Sequence, residues 1–74
     1  MLDPDNYSNF KIESAIDEWI HSEIDRDLLK KRLIDGYSFP QLRDMVEEKY
    51  KLDYSERHIR KRYDNAFGDL NKHI

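Results

Sequence analysis

The sequence predicts an all-α fold in which four short helices form one small domain. Only two of its 74 residues are Gly and two are Pro, while 39% are charged, a composition that favours helices and short loops over a sheet. Apolar residues recur at the three- and four-residue spacing of amphipathic helices. Serines separate these apolar segments, at the positions where helix N-caps are expected.

The first helix is predicted over residues 9–21. The residues before it, 1–8, are polar and contain Pro4, so they are expected to form a flexible N-terminal tail. Residues 9–74 are then expected to form a single domain. The predicted helix carries four large apolar side chains on one face: Ile12, Ile16, Trp19 and Ile20.

The second helix is predicted to begin after Ser22, because Asp25 follows three residues later in the pattern of a capping box. Gly36 is the glycine expected at its C-terminal end. The inward-facing residues of this helix are Ile24, Leu28, Leu29 and Leu33.

The third helix is predicted to begin after Ser38, which forms another capping box with Gln41. Pro40 is compatible with this position because the first helical turn needs no amide donor. The helix is expected to end at about Lys49. Its inward-facing residues are Leu42, Met45 and Val46.

A turn over residues 50–54 precedes the fourth helix and is expected to place Leu52 in the core. Ser55 is the predicted N-cap of the helix, and the spacing from Asp53 to Glu56 offers an alternative capping box. The apolar stripe of this helix comprises Ile59, Tyr63, Ala66, Phe67, Leu70 and Ile74.

Burial of these inward-facing stripes is the main favourable contribution to folding in so short a chain. The expected core consists of Ile16, Trp19, Ile20, Leu28, Leu33, Leu42, Val46, Ile59, Tyr63 and Phe67.

Positive charge is concentrated in the first turns of the fourth helix. Six consecutive positions there hold four of the chain's 13 Lys and Arg and one of its three His. At about 100° per residue, Arg57, His58 and Lys61 fall opposite the apolar stripe, whereas Arg60 and Arg62 flank it. Such a helix can enter the DNA major groove. The residues opposite the stripe would then lie near the bases, and Arg60 and Arg62 would lie beside the phosphates.

Charge is also distributed unevenly along the chain, whose formal net charge is −3. Residues 1–27 hold eight Asp and Glu against two Lys and Arg, whereas residues 28–74 hold eight against eleven. This asymmetry suits a domain with one face for DNA, although the net charge predicts only modest non-specific affinity. Tyr54 falls on the basic face and could contact a sugar or a thymine methyl group. The alternative is a basic face that is merely solvated.

Two short helices joined by a turn, the second with a basic face, are typical of a helix-turn-helix unit. The segments RDLLKKRLIDGYSFPQL (26–42) and YSERHIRKRYDNAF (54–67) resemble helix-turn-helix domains related to region 4 of bacterial sigma factors. They are most similar to small phage and mobile-element transcription regulators of Gram-positive bacteria.

The resemblance implies a scaffold helix over residues 38–49 and a recognition helix over about 55–70. The expected base contacts are Arg57, His58 and Lys61. The expected contacts with the DNA backbone are Ser38, Tyr54, Ser55, Arg60 and Arg62. From Ser38 to Ser55 the chain is several residues longer than the usual unit and has no glycine at the turn. Either the scaffold helix is longer or the connection is an ordered loop.

The predicted function is therefore sequence-specific binding of double-stranded DNA by a small transcription regulator. The alternative is a protein-binding module that contacts RNA polymerase or another host factor through the acidic N-terminal part of the chain. The residues proposed for that surface are Asp17, Glu18, Glu23, Asp25 and Asp27. The chain could act as a monomer or as a homodimer.

Other classes of function have little support in the sequence. There is no cysteine, and the three His stand far apart, so no metal or other cofactor is expected. No arrangement of nucleophile and base is evident, so we do not expect an enzyme. Without an apolar run of membrane-spanning length, the protein is expected to be cytoplasmic, with no membrane partner.

Overall fold

Four helices, in the predicted order, make up the part of the chain that the computed structural model describes, residues 9–73. They are α1 (Asn9–Trp19), α2 (Glu23–Leu33), α3 (Phe39–Tyr50) and α4 (Glu56–Asn71). No strand occurs within these residues, so the prediction of an all-α fold is confirmed. The expected tail over 1–8 and the last residue of the apolar stripe, Ile74, lie outside the described residues.

Serine caps begin α2, α3 and α4. The Ser38 hydroxyl accepts a hydrogen bond from the Gln41 amide, and the Gln41 side chain accepts one from the Ser38 amide, so the predicted capping box is complete. Ser55 caps α4 in preference to the alternative at Asp53, and its hydroxyl accepts from the amide three residues later. Ser22 caps α2 in the same way.

The ends of α2 and α3 differ from the prediction in how each chain reversal is made. Helix α2 ends at Leu33, three residues before Gly36, and the glycine supplies a left-handed turn with φ of 73°. Helix α3 ends at Tyr50, and Lys51 takes the left-handed conformation, with φ of 58°, that glycine usually supplies. The missing glycine in the turn before α4 is thus replaced by a strained lysine, followed by a short ordered connection.

The core has two clusters of buried side chains. The first cluster joins α1 to α2 and α4, and the second joins α3 to the same two helices. The members of the first cluster are Ile12, Ala15, Ile16, Ile20, Leu29, Tyr63, Ala66 and Leu70. The members of the second cluster are Leu28, Leu42, Val46 and Ile59. Helices α2 and α4 therefore form the centre of the fold, and α1 and α3 make no close backbone contact with each other.

Seven of the ten expected core residues are buried, and Leu33 and Phe67 are half-buried against the first cluster. The prediction that Trp19 belongs to the core is wrong. Trp19 is 40% exposed because its ring does not pack against either cluster of buried side chains, and α1 ends at Trp19 instead of continuing to His21. The indole ring stacks on the imidazole of His73, with ring centroids 4.2 Å apart. It therefore covers the end of α4 from outside.

Candidate nucleic-acid interface

The N-terminal half of α4 presents its basic residues to solvent while its opposite side is held in the core. Ile59 and Tyr63, one turn apart, are buried in the second and first clusters respectively. Arg57, His58 and Lys61 are all exposed. The structure therefore brings the three expected base-contacting residues together on one face of a helix that the core fixes in place.

Arg57 and Lys61 form no ion pair with any carboxylate of residues 9–73. This distinguishes them from most of the basic side chains in the described chain, which contact a carboxylate or a backbone carbonyl. Those with such contacts are Arg26, Lys30, Lys31, Arg32, Arg43, Lys49, Arg62 and Lys72. Lys51, in the turn before α4, also has no carboxylate of residues 9–73 within ion-pair distance.

The ring of His58 is oriented by Tyr54, on which it stacks with a centroid distance of 4.2 Å and an interplanar angle of 26°. Tyr54 is itself half-buried, with its side chain packed against the second cluster. The tyrosine expected on the basic face is thus also a support for the turn that leads into α4. The caps Ser38 and Ser55 are exposed at the N-termini of α3 and α4, and their hydroxyls accept amide hydrogen bonds.

Arg60 lies over an aromatic ring. Its guanidinium carbon is 4.6 Å from the centre of the Phe39 ring, a distance typical of a cation–π contact. The guanidinium carbon of Arg32 is also 4.6 Å from the centre of that ring. Tyr63 contacts the ring edge-on, with centroids 5.7 Å apart. Phe39, the first residue of α3, therefore links cations from α2 and α4.

Arg62 occupies a different environment from the other expected backbone contacts. Its Nε lies 2.8 Å from the Asp25 carboxylate, and its terminal nitrogen donates to the Ser22 hydroxyl at 3.3 Å. The Nε–H does not point along the line to that carboxylate oxygen, so this contact is an ion pair and not a well-aligned hydrogen bond. Arg62 thus joins α4 to the start of α2, and Asp25 completes no capping box because its carboxylate faces Arg62.

The acidic residues proposed for the alternative protein-binding surface are largely engaged within the fold. Lys30 contacts Asp17 at 2.7 Å, and Arg62 contacts Asp25. Asp27 accepts hydrogen bonds from the Lys49 ammonium and the Tyr50 hydroxyl. The two remaining members of the proposed surface, Glu18 and Glu23, are exposed.

The contacts around Asp27 shift its pKa and that of Tyr50. Desolvation by burial acts to raise the pKa of Asp27, but the hydrogen bonds from Lys49 and Tyr50 and the charges of Lys49 and Lys30 outweigh it and hold the pKa below the usual 3.8. Burial, then the hydrogen bond to Asp27, raise the pKa of Tyr50 to about 12. The Tyr50 hydroxyl is therefore more strongly protonated in the folded chain than in the unfolded one.

We expect the stability contributed by the Tyr50 hydroxyl to disappear in alkali. Because the pKa of Tyr50 is raised on folding, this contribution is fully present below pH 10 and is lost as the pH rises through about 12. Tyr50→Phe should be less stable than the natural chain at neutral pH, and the difference in urea midpoint should shrink towards zero over that interval. Tyr54→Phe is the matched control. A difference that stays constant through the interval would contradict the role of the hydroxyl.

Arg32 and Phe39 are the residues of this region that the sequence does not single out. Phe39 follows the pattern of a core aromatic, and Arg32 ends a run of three cations, Lys30 to Arg32, that suits the C-terminal turn of a helix. No local spacing connects them with Arg60, because the three residues meet only when α2, α3 and α4 pack together.

Among residues 9–73, no group of three or more His, Asp or Glu side chains is arranged to hold a metal ion. Within the same residues, every helix is too short or too polar to cross a bilayer. Comparisons of the chain with family models, with curated proteins and with solved structures find no match.

Proposed function

We propose that this domain binds double-stranded DNA sequence-specifically, as a small transcription regulator, with α4 as the recognition helix in the major groove. The observation that carries the proposal is the pair Arg57 and Lys61, which are exposed one turn apart and have no ion-pair partner among residues 9–73. Unpaired cations on one face of a rigid helix attract an anionic partner and can reach into a groove.

The side chains on this face suit base recognition. An arginine such as Arg57 can donate two parallel hydrogen bonds to O6 and N7 of guanine, worth roughly 1–3 kcal/mol of discrimination. Lys61 can donate to the same acceptors from the next turn of the helix. The His58 ring stacks on Tyr54. This contact restricts the His58 side chain before binding and so reduces the rotamer entropy lost on binding.

The distribution of charge limits where DNA can lie. The exposed side of α3 and the turn after it carry four carboxylates that, together with the cation Lys51, line one shallow depression: Asp44, Glu47, Glu48 and Asp53. Phosphates are repelled by this depression and attracted by the first turns of α4. The proposed interface therefore consists of the N-terminal half of α4 and the residues beside it.

The alternative function, binding RNA polymerase or another protein through the acidic residues, has weaker support. Asp17, Asp25 and Asp27 are already in ion pairs within the fold. A partner that used these carboxylates would have to compete with contacts whose geometry is already formed.

The double variant Arg57→Ala, Lys61→Ala tests the proposal directly. We expect its affinity for a random-sequence duplex to fall at least about tenfold near 0.1 M salt, with a shallower salt dependence, because cationic contacts to DNA release counterions. Fluorescence anisotropy with a labelled duplex over about 50–200 mM salt measures both quantities. In a selection from random duplexes, Arg57→Ala alone should lose preference at one or two base pairs.

The matched control is Lys11→Ala, Lys72→Ala, which removes the same charge from exposed positions elsewhere. Lys72 stands fifteen residues after Arg57, about 22 Å along the helix axis at 1.5 Å per residue. The control should keep most of the affinity. An equal loss in both double variants would indicate a non-specific effect of net charge. Salt-independent or absent binding to duplex by the natural chain would exclude the proposed function.

A further inference from the structure

The two arginines on Phe39 form a second cationic site, separate from the exposed pair Arg57 and Lys61. Arg32 belongs to α2 and Arg60 to α4, and each guanidinium carbon lies 4.6 Å from the centre of the same ring. The two charges are thus no further apart than twice that distance. Neither is in ion-pair contact with a carboxylate of residues 9–73.

The absence of a partner for Arg60 is informative because its own helix offers two. Glu56 and Asp64 stand four residues before and four residues after it, the spacing at which helical ion pairs form. The guanidinium instead lies over the ring of Phe39. Stacking on the aromatic ring therefore holds this cation away from both neighbouring carboxylates.

Arg32 is fixed by other contacts that leave donors free. Its terminal nitrogen donates to the backbone carbonyl of Tyr37 at 2.8 Å. A guanidinium has five N–H donors in a rigid planar fork. Stacked on Phe39 and anchored on one side, it presents the remaining donors with little entropy left to lose.

We propose that Arg32 and Arg60 together bind a single phosphodiester group of the DNA backbone. An anion that contacts both guanidiniums relieves the repulsion of two like charges held on one ring, and arginine forks match phosphate oxygens. The site adjoins the exposed pair Arg57 and Lys61, since Arg60 lines a shallow depression with Arg57 and Glu56. The inference rests on the proposed function, and it adds a contact from α2, outside the helix-turn-helix unit.

A double-mutant cycle on random duplex tests the shared phosphate. Arg32→Gln and Arg60→Gln should each weaken binding about five- to tenfold near 0.1 M salt, and each should reduce the slope of log K against log salt by about 0.9. Because the two side chains act on one phosphate, the double variant should lose little more than either single variant. Lys72→Gln is the charge-matched control and should change the affinity less.

Three results with duplex DNA would overturn the inference. Arg32→Gln could behave like Lys72→Gln, which would leave the proposed function intact and remove Arg32 from the interface. The losses of the single variants could multiply in the double variant, which would indicate two independent phosphates. If Arg32→Gln unfolds, the natural chain can be tested instead by NMR. The side-chain Nε–H resonance of Arg32 should then shift on addition of duplex. An unchanged resonance is the third contrary result.

Inorganic phosphate, added at matched ionic strength, separates the two possible sources of the anion. We expect it to shift the Arg32 and Arg60 resonances only weakly compared with duplex, because the DNA backbone is also held by α4. If inorganic phosphate shifts them fully while the natural chain fails to bind duplex, the site is one for small anions. That result would overturn both the shared DNA contact and the proposed function. If instead Arg32→Gln merely behaves like Lys72→Gln, the proposed function is unaffected.

Discussion

Replacing Ile59 by Ala is expected to lower the free energy of unfolding by about 3–4 kcal/mol. Ile59 has no exposed surface and packs with Leu28, Leu42 and Val46 in the second cluster. Truncation removes apolar contacts from α2, α3 and α4 at once and leaves a cavity that these helices cannot easily close. A single domain of this size has a stability on the order of 5 kcal/mol, so most of it would be lost.

Urea denaturation followed by circular dichroism measures this change. Ile59→Val, which deletes one methyl group, should cost only about 1 kcal/mol. Arg57→Ala on the opposite face of the same helix should stay within about 0.5 kcal/mol of the natural chain. If Ile59→Ala proved as mild as Arg57→Ala, α4 would not be anchored where the structure places it.

The second large effect concerns Arg62, which we expect to act on stability and not on DNA. Arg62→Ala should lower the free energy of unfolding by about 2 kcal/mol, because it leaves the half-buried Asp25 carboxylate and the Ser22 cap without their partner. Arg60→Ala, two positions earlier on the same helix, should cost only about 0.5–1 kcal/mol, the contribution of an exposed cation–π contact. Arg62→Ala should thus be the less stable of the two variants, whereas Arg60→Ala should be the one that binds duplex more weakly.

A cycle with Asp25→Asn identifies the source of the loss. If the ion pair is responsible, Arg62→Ala should cost much less in the Asp25→Asn background than in the natural one. An unchanged cost would place the effect elsewhere on Arg62. A strong reduction in the salt dependence of DNA binding by Arg62→Ala would instead favour the backbone contact that the sequence suggests.

Features that depend on near neighbours in the chain could be predicted from the sequence. The caps at Ser38 and Ser55 follow from a hydroxyl three residues before an amide, and the inward stripes follow from helical spacing. The basic face of α4 was predictable for the same reason, since Arg57, His58 and Lys61 need only the helix itself to be brought together. Their exposure is confirmed, whereas their contacts with bases remain predictions.

Features that depend on distant residues could not be predicted in this way. The partner of Arg62 is Asp25, which stands 37 positions earlier, and helical spacing carries no information about such a pair. The exposure of Trp19 depends on which residues pack beside the end of α1, and helical spacing alone does not specify them. The contact of Arg32 with Phe39 likewise requires the packing of two helices to be known.

The division of the core into two clusters implies an order in which the helices can come apart. The buried residues of α1 belong only to the first cluster, whereas the N-terminal half of α4 is anchored through Tyr63 in the first cluster and through Ile59 in the second. Detachment of α1 therefore leaves the contacts of α3 with α2 and α4 in place. We therefore expect local opening at α1 to be a subglobal event that exposes Ala66 and Leu70 while Ile59 stays buried in the second cluster. The second cluster can in this way hold the first turns of α4 in place when the N-terminal helix opens or is altered by substitution.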